Sequence, residues 1–202
     1  MGALELGLLA AMCWGFHDVC VRFISQKTPI SACILTVLIV GLIFHIGLMI
    51  PTKEITVISK SAFVLATIAG VSFVIASFCL YYAFKRGPVK LVAPLIASYP
   101  ILSISWAIWI GTPISKFQIL AVLAIIFGVS IVAVLSDISE EKIPPIGKTI
   151  ALSLIAAIAF ACTFASGQAA AELSPHMSAT LVTRIISIML CAIIIYFAGL
   201  KY

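Results

Sequence analysis

A chain of 202 residues that is 63% hydrophobic and 9% charged, with a mean hydropathy of +1.28, cannot clothe a water-facing surface. A soluble domain carries charge on about a quarter of its residues, so lipid is the solvent expected around most of this one. The net charge of +5 does not point to nucleic acid, because the basic residues are not gathered on one helix face and mostly sit between apolar runs, where topology signals lie.

Seven apolar runs follow in chain order: Leu4–Ile24, Pro29–Ile50, Ser61–Phe84, Lys90–Ile110, Lys116–Leu135, Lys148–Ala170 and Met177–Gly199. Each approaches the roughly 20 residues that cross a bilayer core as a helix. No Lys or Arg precedes the first run, and it is too long for a secretory leader, so it is read as a retained helix. Polar breaks separate the runs: Ser25 to Thr28, Pro51 to Glu54, Lys85 to Pro88, Gly111 to Pro113 and Ser136 to Pro145. The runs are continuous rather than alternating, which argues against a β-barrel. Backbone groups in hydrocarbon must be satisfied within their own segment, which leaves helices. The fold class expected is all-α, a polytopic transmembrane helix bundle.

Short breaks make neighbouring runs into hairpins. The longest and most acidic break lies between the fifth and sixth runs and reads as a joint between two halves, residues 1–136 and 147–202, with 137–146 as the connector. A shift of 146 positions supports the division. Leu8, Ala10 and Ala11 then fall on Leu154, Ala156 and Ala157, Pro29 on Pro175, and Leu35 on Leu181. Gly7, Ala11 and Gly15 recur every four residues in the first run, and Ser153, Ala157 and Ala161 hold the same places in the sixth, continuing to Ala165 and Ala169. Small residues at this spacing let helix backbones approach closely in lipid. A half of five helices, an odd number, enters the membrane in the opposite sense from its copy, which is the inverted-repeat architecture of many secondary transporters. On this reading three helices of a second half are expected beyond the seven seen, and the sequence is that of a truncated or partial protein.

Lys and Arg favour the cytoplasmic side. Arg22, Lys27, Lys85, Arg86, Lys90, Lys142, Lys148 and Lys201 border the odd-numbered breaks, against Lys53, Lys60 and Lys116 on the other side. The bias puts the odd-numbered breaks in the cytoplasm and the N-terminus outside.

Polar groups at membrane depth are the functional candidates, because lipid makes them costly. Arg184 lies a third of the way into the seventh run, where insertion scales charge about 2.5–3.5 kcal/mol for arginine at a helix centre. It either faces a central cavity, for an anionic group or a carboxylate partner, or snorkels to the nearer interface. In the first run Trp14, Asp18 and Arg22 share one face at four-residue spacing, with His17 beside them. Asp18 and Arg22 could form a local ion pair, and the cluster either closes the helix at the interface or serves as a gate or proton-linked site. His45, alone on an apolar run, reads as a hydrogen-bonded interior histidine, and Glu5 as interfacial. In the fourth run stand Pro94, Tyr99 and Pro100. Pro100 has no amide proton to donate, which frees a carbonyl near Ile96 and breaks the helix as at transporter binding sites, or merely kinks it. Tyr81 and Tyr82 either line a cavity or sit in the interfacial aromatic belt.

The six cysteines, Cys13, Cys20, Cys33, Cys79, Cys162 and Cys191, all lie inside apolar runs and form no CxxC pair, so they read as packing residues. No phosphate-binding G-x-x-x-x-G-K-[ST], H-E-x-x-H, Cys/His metal spacing or G-x-S-x-G occurs. No cofactor, metal or catalytic residue is expected, and the partners expected are the lipid bilayer and a small-molecule substrate, with a homodimer allowed.

The stretch Leu8 to Phe16 (LLAAMCWGF) resembles the first helix of EamA-domain proteins in the drug/metabolite transporter superfamily. A longer likeness runs from Tyr81-Tyr82-Ala83-Phe84-Lys85-Arg86-Gly87-Pro88-Val89 through Leu91 to Ile101 (LVAPLIASYPI), then Gln118 to Ala121 and Gly128-Val129, and is similar to the end of an EamA repeat. It extends over essentially the whole chain. The resemblance implies two inverted five-helix repeats, about ten helices, around a central cavity, in a cell membrane. It implies export or exchange of amino acids, other metabolites or drugs. Arg184 matches a position where that family often has arginine, and the first repeat has Leu38 there. The family's usual Gly-Glu-Arg after the fourth helix is here Gly111-Thr112-Pro113, so no role carries over to that loop. Ten-helix relatives usually keep the N-terminus in the cytoplasm, opposite to the charge bias.

The reading is thus a secondary transporter working by alternating access. Its cavity is expected between the first, third, fourth and seventh runs, with Trp14, Asp18, Tyr81, Tyr99, Pro100 and Arg184 foremost. The rivals are a membrane enzyme acting on lipid or isoprenoid, for which Asp18 with His17 is the one candidate pair, and a non-transporting partner subunit.

Overall fold

The computed structural model describes residues 2–52, 57–135 and 146–199. Lys53 and Glu54 of the second break, and the joint over 136–145, lie outside the described residues. Eight helices follow in order: α1 (Ala3–Lys27), α2 (Ile30–Thr52), α3 (Lys60–Arg86), α4 (Val89–Ile96), α5 (Tyr99–Trp109), α6 (Lys116–Leu135), α7 (Ile146–Leu173) and α8 (His176–Phe197). α4 and α5 are two halves of the fourth run, so the eight helices make the seven expected segments. Six are long and apolar enough to cross a membrane, and α6 contributes a shorter apolar stretch, Lys116–Gly128. No strand occurs among the described residues.

Local chemistry sets several helix ends. Ser59 caps α3 by accepting from the Ala62 N–H at 3.2 Å. Ser115 and Gln118 form a reciprocal cap at the start of α6: the Gln118 N–H donates to Ser115 Oγ at 3.2 Å, and the Ser115 N–H donates to Gln118 Oε1 at 2.8 Å. α5 ends on Gly111, whose φ of 80° is left-handed. There the Thr112 N–H reaches the Ala107 carbonyl and the Gly111 N–H the Ile108 carbonyl, the paired bonds of a glycine-terminated helix. The interruption of the fourth run falls at Ala97 and Ser98, and Pro100 is the second residue of the helix that follows. The Ser98 hydroxyl bonds the Leu95 carbonyl at 2.6 Å, satisfying part of the broken ladder.

α3 is the hub: α1, α7 and α8 pack on it, α2 packs on α8, α4 and α5 on α7, and α6 on α4. Its inward face is small, with Ala62, Ala66, Ala69, Gly70, Ala76, Ser77 and Ala83 buried. Close backbone approach then lets hydroxyls bond across helices, as membrane interfaces favour. Thr183 and Ser187 of α8 donate to the carbonyls of Ala66 (3.2 Å) and Gly70 (3.1 Å), and Thr163 of α7 to that of Ala69 (3.4 Å). The small-residue pattern common to the first and sixth runs has two different environments. In α7, Ser153, Ala157 and Ala161 are buried, whereas in α1, Gly7, Ala11 and Gly15 are exposed, and a Cβ built on Gly7 or Gly15 meets nothing within 4 Å.

Candidate functional site

Where α1, α2, α3 and α7 meet, a cavity of about 250 Å³ opens. Cys13, Trp14 and His17 come from α1, Ile34, Val37 and Leu38 from α2, Phe73, Ser77, Leu80 and Tyr81 from α3, and Phe160 from α7. Helical spacing explains the grouping. Cys13, Trp14 and His17 lie on one face of α1, as Ile34, Val37 and Leu38 do on α2, and as Phe73, Ser77, Leu80 and Tyr81 do on α3. The walls are aromatic and aliphatic. Trp14 meets Phe160 edge-on at 5.8 Å and His17 at 5.4 Å between ring centroids, and Phe73 meets Phe160 at 6.2 Å.

One polar chain interrupts this apolar lining. His17 Nδ1 lies 3.2 Å from Asp18 Oδ1, and His17 Nε2 lies 3.5 Å from the Tyr81 hydroxyl, with the tyrosine itself buried. An ionised Asp18 accepts from the Nδ1–H, which leaves Nε2 to accept the tyrosine proton or to carry a second proton itself. Both His17 and Asp18 are partly exposed, and His17 and Tyr81 are the members of the chain that line the cavity. Ser77 does not join it, because its hydroxyl is committed to the Phe73 carbonyl at 2.7 Å.

The other residues singled out from the sequence fall elsewhere. Arg22, expected to pair with Asp18, reaches from α1 to the carbonyl of Phe84 at 2.6 Å, at the C-terminal end of α3 where four carbonyls lack helical partners. His45 is buried, with Nε2 2.9 Å from the Met177 carbonyl of α8. Tyr82 is on the outer side of α3, stacked on Phe78. Tyr99 packs its ring on Phe164 of α7, and Pro94 lines a cleft of about 70 Å³ between α4 and α6. Pro100 stands at the start of α5. The fourth run, expected in the cavity wall, thus lies behind α7, and α2 and α7 supply the walls assigned to the fourth and seventh runs. Arg184 of α8 lies against Gly41 of α2, next to the cavity but outside its lining. The further lining residues Ile34, Val37, Leu38, Phe73, Leu80 and Phe160 carry no polar chemistry to mark them as cavity-facing in the sequence, and Ser77 has only a hydroxyl spent on its own helix. One signal was present: the shift of 146 that pairs the two halves puts Trp14 on Phe160.

A second depression, about 430 Å³, lies between α3, α5 and α7 and is lined by Leu65, Leu102, Trp106, Ile158, Ala161 and Ala165 among others. Its hydroxyls are spoken for within their own helices, Ser103 on the Tyr99 carbonyl at 3.1 Å and Ser166 on that of Cys162. It can hold apolar matter but offers nothing to orient it.

No three metal-ligating side chains come together among the described residues. A bundle of apolar helices that cross a membrane several times, around a small cavity with one polar chain, defines a multi-pass α-helical membrane protein. Within that class the chain belongs to the EamA-like transporter family, whose model matches residues 1–134. An uncharacterized protein of the archaeon Methanocaldococcus jannaschii is 28% identical over 133 residues, 65% of this chain and 96% of that relative. No solved structure matches the chain.

Proposed function

We propose that the protein is a secondary carrier in the cell membrane that exports or exchanges small metabolites, amino acids or drugs by alternating access. The cavity between α1, α2, α3 and α7 would be its substrate site. The observation that carries this reading is the meeting of Trp14 and Phe160 at the cavity. These residues are counterparts under the 146-residue shift, and parts related by a twofold axis can touch their own counterparts only beside that axis. α2 and α8 make the same point, since Gly41 meets Arg184 and His45 meets Met177. One helix is climbed as the other is descended, and the crossing falls near Leu38 and Arg184, again counterparts. Both contacts support two inverted repeats, a first at 1–136 and a second from 147, hinged about the cavity, which is where carriers of this architecture hold substrate. The His17–Asp18–Tyr81 chain supplies a group through which a proton gradient could act on the same site.

The test is uptake into proteoliposomes by the protein expressed from its gene, with panels of amino acids, organic acids and lipophilic drugs under imposed proton and solute gradients. Saturable uptake or counterflow of at least one panel is expected, reduced about tenfold or more by Trp14→Ala, whose removal takes away an aromatic wall. Leak-level flux for every panel under every gradient would refute the carrier reading.

A further inference from the structure

Arg184 is the ninth residue of α8, about 12 Å along the helix axis from its start. It has no hydrogen-bond or ion-pair partner among the described residues, and its Nε is fully buried without one. Its Nη1 sits over the Cα of Gly41, in space that a Cβ at that position would occupy. A guanidinium does not lose its proton in a protein, so at lipid depth it requires a counter-charge. The described acids do not supply it. Glu5 bonds the Gly2 N–H, Asp18 faces His17, and Glu172 accepts from Gln168. The remaining four, Glu54, Asp137, Glu140 and Glu141, fall in the polar breaks of the sequence. The nearby His45 has its Nε2 on the Met177 carbonyl.

The unmet charge stands beside the cavity. Val37 and Leu38 line it, and Gly41 follows them by one turn of α2, about 5 Å. We propose that Arg184, seated over Gly41, is the anion-binding subsite of this cavity. The transported molecule is then a small amphipathic organic anion, with its carboxylate or phosphate on the guanidinium fork and its apolar body among Trp14, Phe73, Leu80 and Phe160. The glycine leaves room for Nη1 to approach α2 end-on, where a larger residue would push the guanidinium away. The assignment rests on the carrier reading, since it gives the proposed substrate site its charge preference.

The experiment compares binding of 3-phenylpropionate with that of its uncharged amide, 3-phenylpropionamide, to the purified protein in phosphatidylcholine nanodiscs. The carboxylate is expected to bind roughly tenfold or more tightly than the amide, as a charge-assisted pair should. Arg184→Gln is expected to erase the preference and Arg184→Lys to keep part of it. Gly41→Ala, which changes no charge, is expected to weaken it and keeps the test decisive if the arginine variants fail to fold. Equal binding of acid and amide, binding of neither, or an unchanged preference in Arg184→Gln overturns the proposal. Phosphatidylglycerol added to the nanodiscs is expected to leave the preference intact. If it abolishes the preference, a lipid phosphate is the occupant and the small-anion assignment falls. Uptake separates the subsite from the carrier reading. Transport of neutral solutes with no acid preference removes the subsite alone, whereas intact acid preference with no flux of any solute removes the carrier.

Discussion

At the scale of single residues, function is tied to the few side chains whose polarity lipid does not repay. Asp18 is the one acid of the described residues that lies well inside an apolar run, and it holds through Nδ1 the His17 that lines the cavity. Asp18→Asn keeps the shape and an acceptor oxygen but removes the charge that holds the imidazole in one tautomer. Proton-driven uptake is expected to fall about tenfold or more, while helical content and detergent-solubilised monodispersity stay unchanged. Uptake equal to the parent protein under a proton gradient would remove the chain from the coupling path. Tyr81→Phe, which deletes a hydroxyl at the long distance of 3.5 Å, is expected to have a several-fold smaller effect in the same assay. Trp14, His17 and Tyr81 were legible in the sequence because aromatic and titratable groups inside an apolar run are few. Ile34, Leu38, Phe73 and Leu80 were not, because lipid-facing and cavity-facing positions are equally apolar in a membrane helix. The inward side of α2, for example, is chemically no different from its outer side, where Ile39, Val40, Ile43 and Phe44 are exposed.

At the scale of helices, packing depends on small residues where backbones cross. A Cβ on Gly70 would sit 2.7 Å from the Thr183 carbonyl oxygen and 3.1 Å from Ile186, so α8 would have to move off α3 and stretch the Ser187 bond to the Gly70 carbonyl. Gly70→Ala is therefore expected to destabilise the bundle by about 1–3 kcal/mol, the usual cost of overpacking. Gly128→Ala on α6, where a Cβ meets nothing within 4 Å, is expected to be neutral or to stabilise by up to about 1 kcal/mol through helix propensity. Unfolding of both variants in the same detergent, by helical signal against denaturant, makes the comparison. The seven apolar segments could be read directly, since length and hydropathy set them. The break before Pro100 could also be read, because proline removes a donor wherever it stands. Its place behind α7 could not, because a proline marks where backbone is released and says nothing about which neighbour receives it. The same limit explains the small-residue faces. The spacing of Gly7, Ala11 and Gly15 states that a backbone can come close and leaves unstated which one does.

At the scale of the molecule, the distribution of charge over the two ends of the bundle gives a prediction about orientation. Arg22 bonds the Phe84 carbonyl, and the buried Thr149 at the start of α7 lies against Gly87. The C-terminal ends of α1 and α3 and the N-terminal ends of α4 and α7 therefore share one face, which carries Arg22, Lys27, Lys85, Arg86, Lys90 and Lys148. At the other face, Ser59 before α3 bonds Ser174 between α7 and α8, with its N–H on Ser174 Oγ at 3.0 Å, and the basic residues placed there are Lys60 and Lys116. The asymmetry that the sequence showed as a count is thus a property of two real surfaces. Loops rich in Lys and Arg are retained in the cytoplasm, so the face beneath Lys85 and Arg86 is expected inside and the N-terminus of α1 outside. A reporter that is active only in the cytoplasm, fused after Phe84, should be active, and one active only outside should be active when fused after Gly111. The reverse pair of results would put the basic face outside and the N-terminus in the cytoplasm, as the likeness to ten-helix relatives implies. In that case the charge bias of these 202 residues would have yielded to signals elsewhere, because short-range Lys/Arg balance decides orientation only when no stronger segment does.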